Sequence, residues 1–152
     1  MKAIIFSDSH KNFSSMIKAM EVEGGANYII HAGDVHSDVE DLFVMYPKIP
    51  IAYVKGNNDP FLREPTDRVF ELGGVKIFLT HGHNYGVKQS LFGVYKKSAE
   101  VGATLAVFGH THSACNQEIN GITLFNPGMT AKSYGVLEIE NGKFSVRIKE
   151  LF

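Results

Sequence analysis

Asp8 and His10 stand two positions apart, directly after the apolar run Ala3 to Phe6. Carboxylate and imidazole are donors that several divalent transition metals accept together. Later apolar runs close the same way, on Asp34, Asn57, His81 and the pair His110 and His112. The candidate set is therefore Asp8, His10, Asp34, Asn57, His81, His110 and His112. Such donors suit Mn, Fe, Zn, Co or Ni, and the lack of a cysteine cluster argues against a structural thiolate zinc site. Seven donors are too many for one tetrahedral ion and match two ions that share a carboxylate. Two ions about 3.5–4 Å apart lower the pKa of a shared water, orient it and neutralise charge on phosphate oxygens during in-line displacement. Each residue alone has a plainer reading: Asp8 as a helix cap, Asp34 and Asn57 as turn residues, the histidines as partners of backbone groups.

Bringing these side chains together requires strands that end at one edge. Ala3 to Phe6 reads as a short buried strand, and open α/β sheets hold ligands at the carboxyl ends of their strands. Phe13, Met16, Ile17 and Met20 recur at three and four residues, predicting a helix over 12–23 with Asn12 as its cap and Gly24-Gly25 as its stop. A second strand at 28–30, a helix over 37–45 with Val39, Leu42 and Phe43 on one side, and a third strand at 51–54 follow. This alternation favours parallel strands. Residues 69–72 and 75–80, joined by Gly73-Gly74, read as a β-hairpin. A helix over 89–101 places Leu91, Val94, Tyr95 and Ala99 on one face, with Gly102 as its stop and a buried strand at 104–108 beyond. Asn120-Gly121 and Asn141-Gly142 are hairpin turns, and Phe144, Val146 and Ile148 alternate with polar residues along a strand with one dry face. The turn Asn126-Pro127-Gly128 can return the chain toward the site. A mixed sheet, or two packed sheets, flanked by helices is the expected result.

The 152 residues contain no linker or repeat and read as one domain over 1–152. Fifteen Lys and Arg against sixteen Asp and Glu give a net charge of -1, which offers no electrostatic case for general nucleic-acid or acidic-membrane binding. Cys115 is the single cysteine, so an internal disulfide is excluded and a reducing cytoplasm is the expected location. The first apolar run breaks at Ser7-Asp8, too early for a signal peptide or a membrane span. The glycine pairs at 24–25 and 73–74 lack the spacing and the Lys-Ser ending of a phosphate-cradling loop.

Taken in order, Asp8-Ser9-His10, Gly33-Asp34, Gly56-Asn57, His81-Gly82-His83 and Gly109-His110-Thr111-His112 resemble the motifs of the calcineurin-like metallophosphoesterase superfamily. The run Thr80-His81-Gly82-His83-Asn84-Tyr85-Gly86-Val87-Lys88 is similar to its small, stand-alone bacterial and archaeal phosphodiesterases. The likeness spans residues 1 to about 140 and implies a four-layer α/β/β/α sandwich of two packed mixed β-sheets flanked by helices. It further implies that Asp8, His10 and His112 hold one ion, that Asn57, His81 and His110 hold the second, and that Asp34 bridges them. Asp34, Asn57, His81 and His110 are then the catalytic set. Manganese is the ion expected, with nickel, iron, cobalt or zinc accepted, and a bridging hydroxide would attack phosphorus opposite the leaving oxygen. Many superfamily phosphatases follow the Gly-Asn motif with a histidine that contacts phosphate; here that position is Asn58, which can donate a hydrogen bond but cannot act as the acid. The small phosphodiesterase branch commonly lacks that histidine too.

The resemblance implies hydrolysis of a small phosphodiester, with a homodimer among the states its relatives adopt. Two alternatives stand beside this. One is a phosphomonoesterase or nucleotidase on the same site; the other is a non-catalytic protein-interaction scaffold, because the eukaryotic retromer subunit resembles this fold. Segments 36–46, 58–68 and 84–92 are the expected walls of the substrate pocket. His31 reads as a structural partner. His83 reads either as a support or substrate-facing residue or as part of a plain loop, and His36, Tyr85 and Lys88 are weak candidates for the pocket rim.

Overall fold

The computed structural model describes residues 1–151. Five strands form one mixed sheet in the order β10-β9-β1-β2-β3: β1 (Lys2–Phe6), β2 (Tyr28–His31), β3 (Ile51–Tyr53), β9 (Ser133–Glu140) and β10 (Lys143–Glu150). A second mixed sheet has the order β4-β5-β6-β8-β7, built from β4 (Asp67–Leu72), β5 (Val75–Thr80), β6 (Leu105–Val107), β7 (Cys115–Ile119) and β8 (Ile122–Asn126). β1, β2 and β3 run parallel, with Ile5 opposite Ile30 and Ile30 opposite Ala52. β5, β6 and β8 are parallel in the second sheet, and the hairpin partners β4, β7 and β10 are antiparallel.

Side chains alternate across a strand, so β1 serves two cores. Ala3 and Ile5 face the second sheet and pack with Ile30, Ile77, Leu79, Val107 and Leu137. Ile4 and Phe6 point the other way, onto α1 (Phe13–Val22) through Met16, Ala19 and Met20, and onto α2 (His36–Met45) through Leu42. The outer face of the second sheet packs Phe78, Ala106 and Leu124 against Val94 of α3 (Phe92–Val101). Helices, sheet, sheet and helix make the four layers. Among the described residues no helix is long and apolar enough to cross a membrane.

The sequence expectation departs from the structure locally. The third helix begins at Phe92 rather than 89, and its buried positions are Val94 and Ser98, while Ala99 is exposed. Ser98 tolerates burial because its hydroxyl donates to the Val94 carbonyl at 2.7 Å. Phe43 is 41 % exposed and meets Tyr53 edge-on instead of joining the core beside Leu42. Asn12 sits at the N-cap of α1, but its side chain accepts from the Ser15 hydroxyl and caps no backbone N–H. Both Asn-Gly turns take positive φ at each residue, as two-residue hairpin turns require.

Candidate metal centre

Every one of the seven residues follows the carboxyl end of a strand. Asp8 and His10 follow β1, Asp34 follows β2, Asn57 follows β3, His81 follows β5, and His110 and His112 follow β6. The turns are tied together by backbone: the Asp8 N–H donates to Gly33 O at 2.9 Å and the Gly109 N–H to His81 O at 3.1 Å. Two motif glycines make room for the carboxylates. A Cβ at Gly56 would overlap Asp34 Oδ1, and one at Gly109 would overlap Ser7 Oγ and stand 2.7 Å from Asp8 Oδ2.

The structure brings the whole set together. His112 Nε2 lies 3.3 Å from Asp8 Oδ1 and 3.3 Å from His10 Nε2, which is itself 3.8 Å from the same Asp8 oxygen. On the other side, His81 Nε2 is 3.0 Å from Asn57 Oδ1, 3.4 Å from Asp34 Oδ2 and 3.8 Å from Asp8 Oδ1. His110 Nδ1 completes this side at 3.1 Å from Asn57 Oδ1. Asp8, His10 and His112 form one group able to hold an ion, and Asp8, Asp34 and His81 form another. Asp8 Oδ1 is thus common to both groups.

Hydrogen bonding shows what these atoms require. His81 Nδ1 is 2.8 Å from the Ala32 carbonyl, which only accepts, so Nδ1 carries the hydrogen. The neutral ring then turns its Nε2 lone pair toward three oxygens that are themselves acceptors, an arrangement that calls for a cation or a proton between them. Burial pushes the His81 pKa down, but Asp34 and Asp8 outweigh it and hold the value above that of an ordinary histidine. Burial would raise Asp34; hydrogen bonds and charge from His81, with the Asn58 N–H, bring it to about 2. Asp8 Oδ2 accepts from the His110 N–H at 2.9 Å and the Ser7 hydroxyl at 2.7 Å. Its other oxygen, Oδ1, is buried with no hydrogen-bond partner, an arrangement that costs about 1–3 kcal/mol in a folded protein. An orphaned carboxylate oxygen facing three imidazole nitrogens fits a divalent ion. Burial and the His81 charge keep the His110 pKa low, favouring the neutral ring that ligates.

Residues 1–142 match the family model described as the calcineurin-like phosphoesterase superfamily domain. The chain belongs to that superfamily. It is 34% identical over 158 residues to the probable metallophosphoesterase YsnB of Bacillus subtilis, covering 97% of this chain and 89% of the relative. Among solved structures, a conserved Streptococcus pneumoniae protein described as a predicted phosphoesterase superposes with TM-score 0.81 at 26% identity, covering 99% of this chain and 89% of that one. A structure described as a novel archaeal phosphodiesterase shares the fold at TM-score 0.71 and 22% identity, covering 98% of this chain and all of the other.

Around this calcineurin-like centre lie supports whose partners motif reading did not supply, among them Asn58 and His31, already named from sequence. Asn58 donates to both oxygens of Asp34, from its backbone N–H at 3.0 Å and its side-chain amide at 2.9 Å. Behind the Asp8 turn, the Gly33 N–H donates to His31 Nδ1 at 3.1 Å, leaving His31 Nε2–H to face Ser9 Oγ at 3.1 Å. The Ser9 hydroxyl in turn donates to Asp38 Oδ2 at 2.6 Å, where the Lys11 N–H also donates at 2.8 Å. Asp59 accepts from the His36 and Gly56 N–H groups, joining the start of α2 to the Asn57 turn. Asn126 is fully buried and donates to Gly109 O and Thr111 Oγ1, bracing the turn that bears His110 and His112. An asparagine closing the apolar run Ile122 to Phe125 was the available signal for the last of these.

The remaining candidates divide. His31 is fully buried, and burial followed by the His81 charge lowers its pKa to about 3, so it supports the turn as a neutral ring. The His83 ring lies 5.4 Å from that of His81 and 6.1 Å from that of His110, with a buried Nδ1 that has no partner. His36 packs on Tyr53 with Nε2 3.5 Å from Glu40. Tyr85 gives its hydroxyl to Asp67 and packs edge-on against Phe78, so it belongs to the second sheet's outer core. Lys88 is exposed.

Proposed function

We propose that this protein is a metal-dependent phosphodiesterase using two divalent transition-metal ions, manganese first among them. By the family pattern Asp8, His10 and His112 would hold one ion and Asn57, His81 and His110 the other, with Asp34 shared; Asp8 Oδ1 is in addition near histidines of both sets. The observation that carries this reading is the buried, unpartnered Asp8 Oδ1 set among the nitrogens of His10, His81 and His112. When bound, such ions lower the pKa of water and neutralise charge on phosphate oxygens.

The chain's own contribution is to hold these donors before substrate arrives. Ala32 O takes the Nδ1–H of His81, so that Nε2 is the atom that faces inward. Asn58 uses its donors on Asp34 and presents no acid to a leaving oxygen. Substrates whose alcohol departs as a stable anion are therefore favoured. Asn58 in place of the phosphatase-type histidine supports a diester over a monoester, as does likeness to an archaeal protein described as a phosphodiesterase.

The test is protein stripped by chelation, reloaded with manganese, and assayed on bis(p-nitrophenyl) phosphate and p-nitrophenyl phosphate. The diester should show the higher kcat/KM, and bound metal should approach two equivalents. Asp34→Ala or His110→Ala should cost on the order of 10²-fold in kcat/KM. A loss below about threefold overturns the assignment. Stoichiometric binding of another protein that survives metal removal, with no hydrolysis, would favour the scaffold reading instead.

A further inference from the structure

His83 flanks the side of the centre where Asn57, His81 and His110 meet. Its ring centroid lies 5.4 Å from that of His81 and 6.1 Å from that of His110, and those two rings stand 5.1 Å apart. His81 and His110 each bring a nitrogen to Asn57 Oδ1, at 3.0 and 3.1 Å. His83 stays outside that convergence and belongs to neither group of atoms able to hold an ion.

The turn that carries His83 is fixed from several directions. His83 opens the 3₁₀ turn His83–Tyr85, with left-handed Gly82 before it and left-handed Gly86 after it. The Tyr85 N–H donates to Gly82 O at 2.9 Å, and the Tyr85 hydroxyl donates to Asp67. Asp67 also accepts from the Thr80 hydroxyl at 2.8 Å, and Thr80 Oγ1 accepts from the Gly82 N–H at 3.2 Å. Hydrogen bonds on both sides of the residue therefore set where the ring stands.

The two nitrogens of that ring differ. Nδ1 is buried and has no hydrogen-bond partner. Among the described residues Nε2 has no partner either, but it is not enclosed, and the side chain is half-buried. A neutral imidazole has one hydrogen to place. Orphaned buried donors are rarer in folded proteins than under-satisfied buried acceptors, so the lone pair belongs on Nδ1 and the hydrogen on Nε2. His83 thus keeps an unspent N–H beside the exposed Asn57. Asn58 has none to offer, because its amide and its backbone N–H are both taken by Asp34. An ester phosphate is anionic and its oxygens only accept, which makes a free N–H its complement.

We propose that His83 is a substrate-contacting residue whose Nε2–H donates to a phosphoryl oxygen of the bound ester. The proposal rests on the phosphodiesterase reading and assigns the phosphate contact that Asn58 is too occupied to make.

Manganese-loaded protein, dialysed free of excess ion, is titrated calorimetrically with inorganic phosphate, and kcat/KM is measured on bis(p-nitrophenyl) phosphate and diphenyl phosphate. In His83→Ala the phosphate dissociation constant should rise about tenfold or more, the loss of one hydrogen bond to a charged group, with bound manganese unchanged. The fall in kcat/KM should be the same factor on both esters, because a phosphoryl contact is indifferent to which phenolate departs. His83→Gln sets an amide nitrogen near the place of Nε2 and should recover most of the loss. His83→Asn sets one near the place of Nδ1 and should not, and this contrast decides the matter if His83→Ala fails to fold. Wild-type phosphate affinity in His83→Ala, lost manganese, equal rescue by both amides, or a loss much steeper on diphenyl phosphate overturns the proposal. If the wild-type protein cleaves neither ester, the phosphodiesterase reading falls on its own. The titrations then judge His83: weaker phosphate binding in His83→Ala supports the contact, and equal binding, or none to the wild type, overturns it.

Discussion

Asp38 has no role in chemistry, yet replacing it should disturb the metal centre measurably. Its carboxylate is buried in the first turn of α2 and accepts the Ser9 hydroxyl at 2.6 Å and the Lys11 N–H at 2.8 Å. Hydrogen bonds to a charged group contribute about 1.5–3 kcal/mol each. The Ser9 bond is fully buried and the Lys11 bond partly so, which puts the pair near 3 kcal/mol at the conservative end. A negative charge in the first turn of a helix adds about 0.5 kcal/mol. Asp38→Ala should therefore cost about 3 kcal/mol in metal-free protein, and Asp38→Asn, which keeps one acceptor oxygen, about half of that. Urea unfolding by linear extrapolation measures both values. The same bonds hold the turn that carries Asp8 and His10, so manganese affinity should fall about 10–100-fold in Asp38→Ala. A destabilisation under about 1 kcal/mol would refute the energetic argument. Normal destabilisation with wild-type metal affinity would refute the positioning argument and leave Asp38 as a fold residue only.

Gly56→Ala should weaken manganese binding at least tenfold and cost about 1–3 kcal/mol in a thermal melt, because the new methyl displaces Asp34 without any help from backbone strain. Wild-type affinity in that variant would mean that Asp34 is not a ligand. His31 is held neutral with a pKa near 3, whereas the unfolded chain binds its proton near 6.5. The unfolded state therefore takes up a proton that the folded state refuses, and metal-free stability should fall as pH drops through that window, by up to about 1.4 kcal/mol per unit. His31→Asn should flatten the slope by about one proton, and an unchanged slope would exclude His31 as its source.

The centre was legible because its chemistry sits at strand ends. Asp8, Asp34, Asn57, His81 and His110 each follow an apolar run, and a chain of parallel strands has one way to gather such ends. Hairpins were equally plain, since Asn120-Gly121 and Asn141-Gly142 carry their turn geometry in their residue types. What depends on partners distant in sequence was not legible. Ser98 replaced Ala99 in the core because a backbone carbonyl satisfied its hydroxyl, which no periodicity reveals. Asp38 carries no local signal of its role, because its partner Ser9 lies 29 residues away. A cleft at His112 is lined by Ala114, Met129, Lys132, Ser133, Ile148 and Glu150, residues that no local pattern groups.

Backbone strain is concentrated where the candidate metal ligands are. Among the described residues, the non-glycine positions with positive φ are Asp8, His10, Lys11, Asp34, Val35, His110, His112, Asn120 and Asn141. The last two are ordinary hairpin asparagines, and all the others lie in the turns of the metal centre. Val35 at φ 47° is the most costly type, because a β-branched side chain crowds that conformation. Each such residue costs about 1–3 kcal/mol and persists only where its surroundings over-determine it. Here the surroundings are identifiable: Asp59 on the His36 N–H, Asp38 on the Lys11 N–H, Asn58 on both Asp34 oxygens, and Asn126 under the Gly109 carbonyl. Those hydrogen bonds are the contacts that hold the donor turns in their strained conformations. The same buried polar groups that look wasteful in the fold are what brace the candidate centre.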